Sequence, residues 1–318
     1  MKKSIFLILF VLTGSAFSQQ PQDIHLNKVV AKLERNILVN GIWVSALHPS
    51  NAIGLVEMNG YPNNMEALTK PMIDFILIDM EHMPFDVTVL RNFLLALNSK
   101  REVLIKGNLQ PNIATFVRIP AEGNQPVHAM IKQVLDIGAH GVVVPHVRTA
   151  RDAEKIVSAC RYPQPKESTI KEPVGTRGAS PWICAYLWGL TMDEYVAHAD
   201  VWPLNPKGDI LAIIMIEDEE GLQNIDEILS VKGIGAVIFG PYDYSFNCAH
   251  PGKMDHPDVL KAWDKVKNAC DNSNVPLMGF ANPDNISEQL QKNYRILLFG
   301  HDVSNDGSIQ KILEAISH

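Results

Sequence analysis

The sequence predicts an α/β protein whose single domain is a (β/α)8 TIM barrel. Short apolar runs alternate with amphipathic segments along the chain, and about eight such pairs can be counted. The runs are apolar throughout instead of alternating with polar residues, which is typical of parallel strands covered by helices on both sides. A chain of 318 residues has the length of one such barrel.

A doubly wound open sheet is the alternative architecture. Open sheets that bind dinucleotides carry a G-x-G-x-x-G motif directly after the first strand. Here the first predicted strand, residues 41–47, is followed by His48, Pro49 and Ser50, without that motif. This difference favours the barrel.

Turn and capping residues divide the first half of the chain. Asp86 is placed to cap the helix that follows the second strand, Pro120 stops the third strand, and Gly138 closes the next helix. The predicted strands of this half are residues 41–47, 75–79, 115–119 and 141–145, and the predicted helices include 87–97 and 127–136.

The second half continues the same alternation. Glu217 ends the fifth apolar run, Gly240 the sixth and Gly300 the eighth, and Pro257 begins a helix after His256. The predicted strands are residues 211–217, 236–240, 276–281 and 295–300, and the predicted helices are 182–199, 221–229, 257–270, 283–292 and the tail from 306.

The N-terminus resembles a targeting segment. Two lysines follow the initiator methionine, residues 5–12 are apolar, and Ala16 and Ser18 supply small residues at a cleavage site. The run is too short to span a membrane; a buried first helix is the alternative. We therefore expect a signal peptide at residues 1–18, a mature domain at 19–318, and export to the periplasm or the medium.

Charge and cysteine content exclude some partners. The net charge is −7 and no lysine or arginine run occurs, so neither nucleic acid nor an anionic membrane is expected as a partner of the mature protein. The cysteine spacing resembles no zinc site. An exported protein can form disulfides, but buried free thiols are favoured slightly over one or two bridges. The cysteines are Cys160, Cys184, Cys248 and Cys270.

Polar residues at strand ends are the candidates for chemistry, because the carboxyl ends of barrel strands converge on one mouth. Glu217 and Asp243 follow the fifth and sixth strands and offer two hard oxygen ligands, which suit Mg²⁺ or Mn²⁺. A helix cap or an ion pair is the alternative for either, since acids crowd the loop after Glu217. The other strand-end candidates are Asp79, Glu81, His82, Arg118 and Asp302.

Arg118 and His82 complete the predicted site. A guanidinium inside an apolar strand needs an anion, either a substrate carboxylate or a structural partner such as Asp79 or Glu81. His82, beside these two acids, has the surroundings of a proton-transfer group. A divalent metal, an arginine and a histidine together suit enolate chemistry, in which a carbon–carbon bond breaks or forms.

Several blocks of the sequence resemble the HpcH/HpaI aldolase/citrate lyase family, which contains the class II metal-dependent pyruvate aldolases. The similarity extends over nearly all of residues 25–318. The blocks include FILIDMEH at 75–82, KQVLDIGAHGVVVP at 132–145, GTRGAS at 175–180 and GPYD at 240–243.

The resemblance implies a role for each candidate residue and a homo-oligomeric barrel. Glu217 and Asp243 would bind Mg²⁺ or Mn²⁺, with Co²⁺ as a further metal. Arg118 would bind the substrate carboxylate, and His82, supported by Asp79, would be the acid/base. Two further substrate-binding positions differ from the family: Met215 stands where a glutamine is common, and Tyr242 where a small or aliphatic residue is usual.

The expected function is a metal-dependent aldolase that cleaves or forms aldols of pyruvate or a related 2-oxo acid. The expected partner is thus a small 2-oxo or hydroxy acid. Two alternatives stay open from the sequence: a lyase of malyl or citramalyl thioesters from the same superfamily, and a non-catalytic barrel that binds a small acid in the periplasm.

Overall fold

Eight parallel strands close into a barrel in the computed structural model, which describes residues 25–59, 72–302 and 308–317. The strands lie in chain order, and the first pairs with the last. This confirms the predicted (β/α)8 fold, while the predicted signal peptide lies outside the described residues. The strands are β1 Val39–Val44, β2 Phe75–Asp79, β3 Ala114–Arg118, β4 Gly141–Val144, β5 Leu211–Ile216, β6 Ile234–Phe239, β7 Leu277–Ala281 and β8 Ile296–His301.

Helices follow the strands, and Asp86 caps its helix as predicted by accepting hydrogen bonds from the Thr88 and Val89 amides. Among the described residues, no helix is long and apolar enough to cross a membrane. The helices are Lys28–Glu34, Pro49–Met58, Val87–Ala96, Lys100–Lys106, His128–Asp136, Ala150–Cys160, Trp182–Trp188, Met192–His198, Glu219–Gln223, Ile225–Leu229, Pro241–Asn247, Pro257–Ser273, Ile286–Gln291 and Ser308–Ser317.

The structure differs from the predicted helices in a few places. The single helix expected at 182–199 is two helices, because Gly189 ends the first in a left-handed conformation and Thr191 caps the second with a capping box. The helix expected at 221–229 divides at Asn224. Two short helices, at Lys100–Lys106 and Pro241–Asn247, were not predicted.

Alternation along each strand places the functional side chains. On β2, β3 and β5, residues such as Leu77, Phe116 and Ile213 pack in the barrel interior, and their neighbours face the surrounding helices. Side chains two positions apart point to the same face of a strand. The next inward positions are Asp79 on β2 and Arg118 on β3, and the register places these two residues side by side.

The amino-terminal end of the barrel is closed by the helix Lys28–Glu34. Val29, Val30 and Leu33 are buried in the same cluster as the interior side chains of the strands. Lys28 fixes the helix through an ion pair of 2.6 Å with the buried carboxylate of Asp74. The mouth at the carboxyl ends of the strands is therefore the end from which a ligand can enter the barrel.

Two other features of the sequence are the cysteines and the GTRGAS block. The four cysteines are free in this structure; Cys160, Cys184 and Cys270 are buried and Cys248 is half-buried. In the GTRGAS block, the fully buried Arg177 donates hydrogen bonds to Asp136 and to the Tyr195 hydroxyl. Arg177 therefore stabilises the helical layer around the barrel.

Candidate active site

Arg118 is the centre of an ion-pair network at the mouth. Its Nε and Nη2 donate to the two carboxylate oxygens of Asp79, at 2.9 and 2.8 Å, and its Nη1 lies 2.8 Å from Glu81 Oε2. Burial alone would raise the pKa of Asp79, but the hydrogen bonds and charge of Arg118 outweigh it and keep that pKa below its ordinary value. The structural salt bridge considered for Arg118 is thus present, with both acids.

Trp43 of β1 completes the surroundings of Arg118. The guanidinium carbon lies 4.8 Å from the centre of the indole ring, which is a cation–π distance. The indole is half-buried against the interior cluster. The indole contacts the face of the guanidinium group, and the carboxylates of Asp79 and Glu81 contact its nitrogens. Arg118 therefore has little freedom to move.

Glu217, directly after β5, is the most buried acid at the mouth, with 2% of its surface exposed. Its Oε2 accepts a hydrogen bond of 3.1 Å from the His146 amide. Burial, together with the charges of Glu81 and Asp243, raises the pKa of Glu217 to about 7 even though His146 lowers it. An ionised Glu217 therefore lacks sufficient positive charge within the described residues, and a cation would supply it.

Asp243 lies in the first turn of the helix Pro241–Asn247, immediately beyond β6. It is half-buried, and its effect on the pKa of Glu217 shows that the two carboxylates interact. Of the acids that crowd the loop after β5, Asp218 caps the following helix through the Gly221 amide and binds Arg148 Nε at 2.7 Å. The helix cap that the sequence offered as an alternative role is thus filled by Asp218. Glu217 does not cap the helix and can face the mouth.

Gly240 makes room for Glu217. A Cβ atom at this position would lie 2.2 Å from Glu217 Oε1 and 2.9 Å from its carboxyl carbon. Contacts this short between heavy atoms do not occur, so any residue larger than glycine at position 240 must displace the carboxylate of Glu217.

We expect Gly240→Ala to lower Mn²⁺ affinity and turnover at least tenfold, because Glu217 must turn away from the mouth. Titration calorimetry with Mn²⁺ and steady-state kinetics would measure both effects. Gly54→Ala is the matched control, since nothing lies within 4 Å of a Cβ there. Wild-type metal affinity in Gly240→Ala would contradict the assignment of Glu217.

His82 is found at the mouth, where its ring contacts Glu81. Its Nε2 lies 3.6 Å from Glu81 Oε2, and its side chain is 64% exposed. Asp79, the expected support, instead binds Arg118 and accepts a hydrogen bond from the Glu81 amide. The register pairs Asp79 with Arg118, while the charge of His82 also helps to lower the pKa of Asp79. The support of His82 by Asp79 stays a prediction.

The remaining predicted residues have different surroundings. Met215 is buried in the barrel interior below Glu217, and its carbonyl accepts a hydrogen bond from the Val147 amide. Tyr242 is 55% exposed, and its ring packs on Phe246 with 5.2 Å between ring centres. Asp302 accepts hydrogen bonds from the amides of Ser45 and Ala46, so it holds the loop after β1.

His146 was missed by the sequence analysis. It follows β4, its φ is +49°, and its ring lies between Glu217 and Asp218, with Nε2 3.8 Å from Glu217 Oε2 and Nδ1 3.5 Å from Asp218 Oδ2. The signal was available: His146 is the polar residue directly after the fourth apolar run. The same strand-end rule that selected Glu217 would have selected it.

The raised pKa of Glu217 predicts a pH-dependent stability of the metal-free protein. The folded state holds this proton more tightly than the unfolded state does, so the stabilising effect is complete below pH 4.5. It is lost as the pH rises to about 7, by at most about 1.4 kcal/mol per pH unit. Urea unfolding in the presence of a chelator should show this loss, and Mn²⁺ should reverse it above pH 7. An unchanged slope in Glu217→Gln would contradict the assignment.

The donor set fits a small divalent cation. Glu217 and Asp243 provide carboxylate oxygens from adjacent strands, and the buried Glu217 needs a positive charge when ionised. Mg²⁺ and Mn²⁺ prefer such oxygen donors and keep part of their shell for water or substrate. A parallel barrel with carboxylates, an arginine and a histidine at one mouth defines a class of α/β-barrel enzymes that act on small acids.

The chain belongs to the HpcH/HpaI aldolase/citrate lyase family, whose model matches residues 60–305. It is 36% identical over 222 residues to 2-keto-3-deoxy-L-rhamnonate aldolase of Klebsiella pneumoniae, covering 70% of this chain and 66% of that protein, just under two thirds of its length. It is 32% identical over 246 residues to 5-keto-4-deoxy-D-glucarate aldolase of Escherichia coli, and the alignment covers 77% of this chain and 78% of that protein.

Solved structures agree on the fold. A HpcH/HpaI aldolase/citrate lyase family protein of Burkholderia cenocepacia superposes with a TM-score of 0.68 at 23% identity, over 87% of this chain and 93% of that one. A HpcH/HpaI aldolase of Desulfitobacterium hafniense gives 0.65 at 23% identity, over 90% and 93%. The predicted family is thus confirmed, and its named relatives are aldolases, the kind of carbon–carbon lyase that the sequence predicts.

Proposed function

We propose that this protein is a divalent-metal-dependent aldolase that cleaves or forms aldols of pyruvate or a related 2-oxo acid. The observation that carries the proposal is Glu217, a buried carboxylate without sufficient compensating charge, which interacts with Asp243 at the same mouth as Arg118 and His82. Mg²⁺ or Mn²⁺ is the metal proposed, with Co²⁺ as a substitute. Bound there, the cation would supply the positive charge that stabilises the enolate of the oxo acid.

Arg118 binds the substrate carboxylate in this proposal. Asp79 holds two of its nitrogens, whereas Glu81 holds one, and burial raises the pKa of Glu81 above its ordinary value. Glu81 is therefore the weaker partner and the one that an incoming carboxylate replaces at Nη1. Asp79 stays in place and keeps the guanidinium oriented.

His82 moves the proton. In the cleavage direction, its ring accepts the proton of the substrate hydroxyl, the bond between the carbinol carbon and the next carbon breaks, and an aldehyde and an enolate form. Protonation of the enolate carbon then gives the oxo acid. The exposed ring of His82 can return its proton to water, and Glu81, 3.6 Å away, can stabilise the charged imidazole.

The relatives suggest the substrate class. The names 2-keto-3-deoxy-L-rhamnonate and 5-keto-4-deoxy-D-glucarate describe acids with a keto group beside a CH2 group. An aldol cleavage at the far side of that CH2 group releases pyruvate from either acid. The named relatives are aldolases, so the thioester lyase and the non-catalytic barrel are not favoured.

Assembly and location complete the proposal. Trp182 and Tyr186 lie one turn apart on one helix and are 71% and 74% exposed, which supports a homo-oligomer that covers this face. Light scattering of the mature protein would test the oligomer. Export rests on residues 1–18, and detection of the processed chain in the periplasm would test it.

The activity test is pyruvate release from 2-keto-3-deoxy sugar acids by chelator-treated protein to which Mg²⁺, Mn²⁺ or Co²⁺ is added. We expect turnover with added metal and loss of turnover with EDTA. A protein that binds Mn²⁺ but releases no pyruvate from any of these acids, and instead cleaves a malyl thioester, would overturn the proposal in favour of the thioester lyase.

A further inference from the structure

His146 has a backbone conformation that is uncommon for a residue other than glycine. Its φ of +49° is in the left-handed region, where the Cβ atom crowds the following carbonyl group and where glycine or asparagine is preferred. Such strain in a residue with a large side chain often occurs where the side chain has a function. The conformation here turns the chain sharply at the end of β4.

The turn places both the backbone and the ring of His146 against Glu217. The amide donates to Glu217 Oε2 at 3.1 Å, and ring Nε2 lies 3.8 Å from the same oxygen. Ring Nδ1 is buried beside Asp218 Oδ2, 3.5 Å away, and is paired with that carboxylate. Ring Nε2, at 3.8 Å from Glu217, is beyond hydrogen-bonding distance and is therefore the ring nitrogen that can engage a ligand.

Other groups around Glu217 are occupied or apolar. All three nitrogens of Arg118 contact Asp79 or Glu81, and the wall below Glu217 is the thioether side chain of Met215. Among the hydrogen-bond donors that the described part of the chain directs at Glu217, the ring of His146 is therefore the one with unused capacity.

We propose that His146 is a substrate-binding residue of the lyase site, whose amide orients Glu217 and whose ring donates a hydrogen bond to the oxygen atoms of the acid substrate beside Glu217. The inference rests on the proposed function for the identity of the ligand. The strained turn and the contacts of the amide do not depend on it.

Oxamate, an unreactive analogue of pyruvate, tests the inference with the intact protein and Mn²⁺. His146→Gly removes the ring, keeps the amide and suits the left-handed backbone. We expect an oxamate Kd and a substrate KM at least tenfold higher, kcat within threefold of wild type, Mn²⁺ affinity within threefold, and a Tm equal to or above that of wild type. Asparagine also tolerates this backbone conformation. The oxamate Kd and the substrate KM of His146→Asn should therefore lie between those of the wild type and those of His146→Gly.

Asn293→Gly is the matched control. Asn293 has a φ of +55° and precedes β8 at the opposite end of the barrel, so the same change should leave oxamate binding unaltered. An oxamate Kd for His146→Gly within twofold of wild type would overturn the inference, as would a Tm lowered by the glycine. Absence of both oxamate binding and pyruvate release in the wild type would instead overturn the proposed function, and the inference with it.

Discussion

Glu217→Gln is expected to lower kcat by about 10³-fold or more. The amide keeps the size of the side chain but removes the charge that holds the cation, and metal stabilisation of an enolate is worth several kcal/mol. Since burial raises the pKa of Glu217, the neutral amide should also make the metal-free protein more stable than wild type at pH 8. Steady-state kinetics, Mn²⁺ calorimetry and urea unfolding would measure the three effects.

Glu220→Gln is the control for that variant, because it removes an exposed carboxylate from the helix Glu219–Gln223, which follows Glu217 closely in the chain. It should change neither turnover nor metal affinity by more than about twofold, in keeping with the small effects of exposed charges. If Glu217→Gln retained metal-dependent turnover, Glu217 could not be a metal ligand.

Arg118→Met is expected to destabilise the fold by about 3–5 kcal/mol as well as to abolish turnover. The change leaves Asp79 and Glu81 at the mouth without their cation, and removal of one partner from a buried ion pair typically costs this much. Because Arg118 lowers the pKa of Asp79, its stabilising effect is present at neutral pH and is lost as the pH falls through that lowered pKa. Urea unfolding at pH 7 and at low pH would show the difference between the two proteins narrowing in acid.

Asp79→Asn and the double variant Arg118→Met/Asp79→Asn complete a thermodynamic cycle for this pair. The second change should restore part of the stability lost in Arg118→Met, since it removes one of the two uncompensated carboxylates. A loss below about 1 kcal/mol in Arg118→Met would show that the network is solvated and does not hold the mouth together.

The strands could be predicted from the sequence because each is a short apolar run that ends at a turn signal. β2 was placed at residues 75–79 as observed, and the other bounds differ by a few residues. The helix Pro241–Asn247 was missed because its sequence, PYDYSFN, has no apolar periodicity of its own. It forms where Pro241 begins a helix and Tyr244 packs on Phe239 of β6, with 5.3 Å between ring centres.

The candidate site was predictable where strand direction alone decides position. Asp79, Arg118 and Glu217 each follow the inward residues of an apolar run, so alternation brings them to one mouth. The role of Trp43 was not predictable, because its contact with Arg118 depends on how β1 is aligned with its neighbours. The salt bridge of Arg118 was one of two alternatives in the sequence, and the choice between them depends on the register of β2 and β3, which pairs Asp79 with Arg118.

Closure of the sheet has a consequence for the order of folding. Val39 of β1 is paired with Ile296 of β8, so the ring of hydrogen bonds forms only when nearly the whole chain is available. Contacts between residues so distant in sequence form slowly, and β1 presents an unpaired edge until then. A growing or truncated chain therefore stays open, which exposes a shortened chain to aggregation.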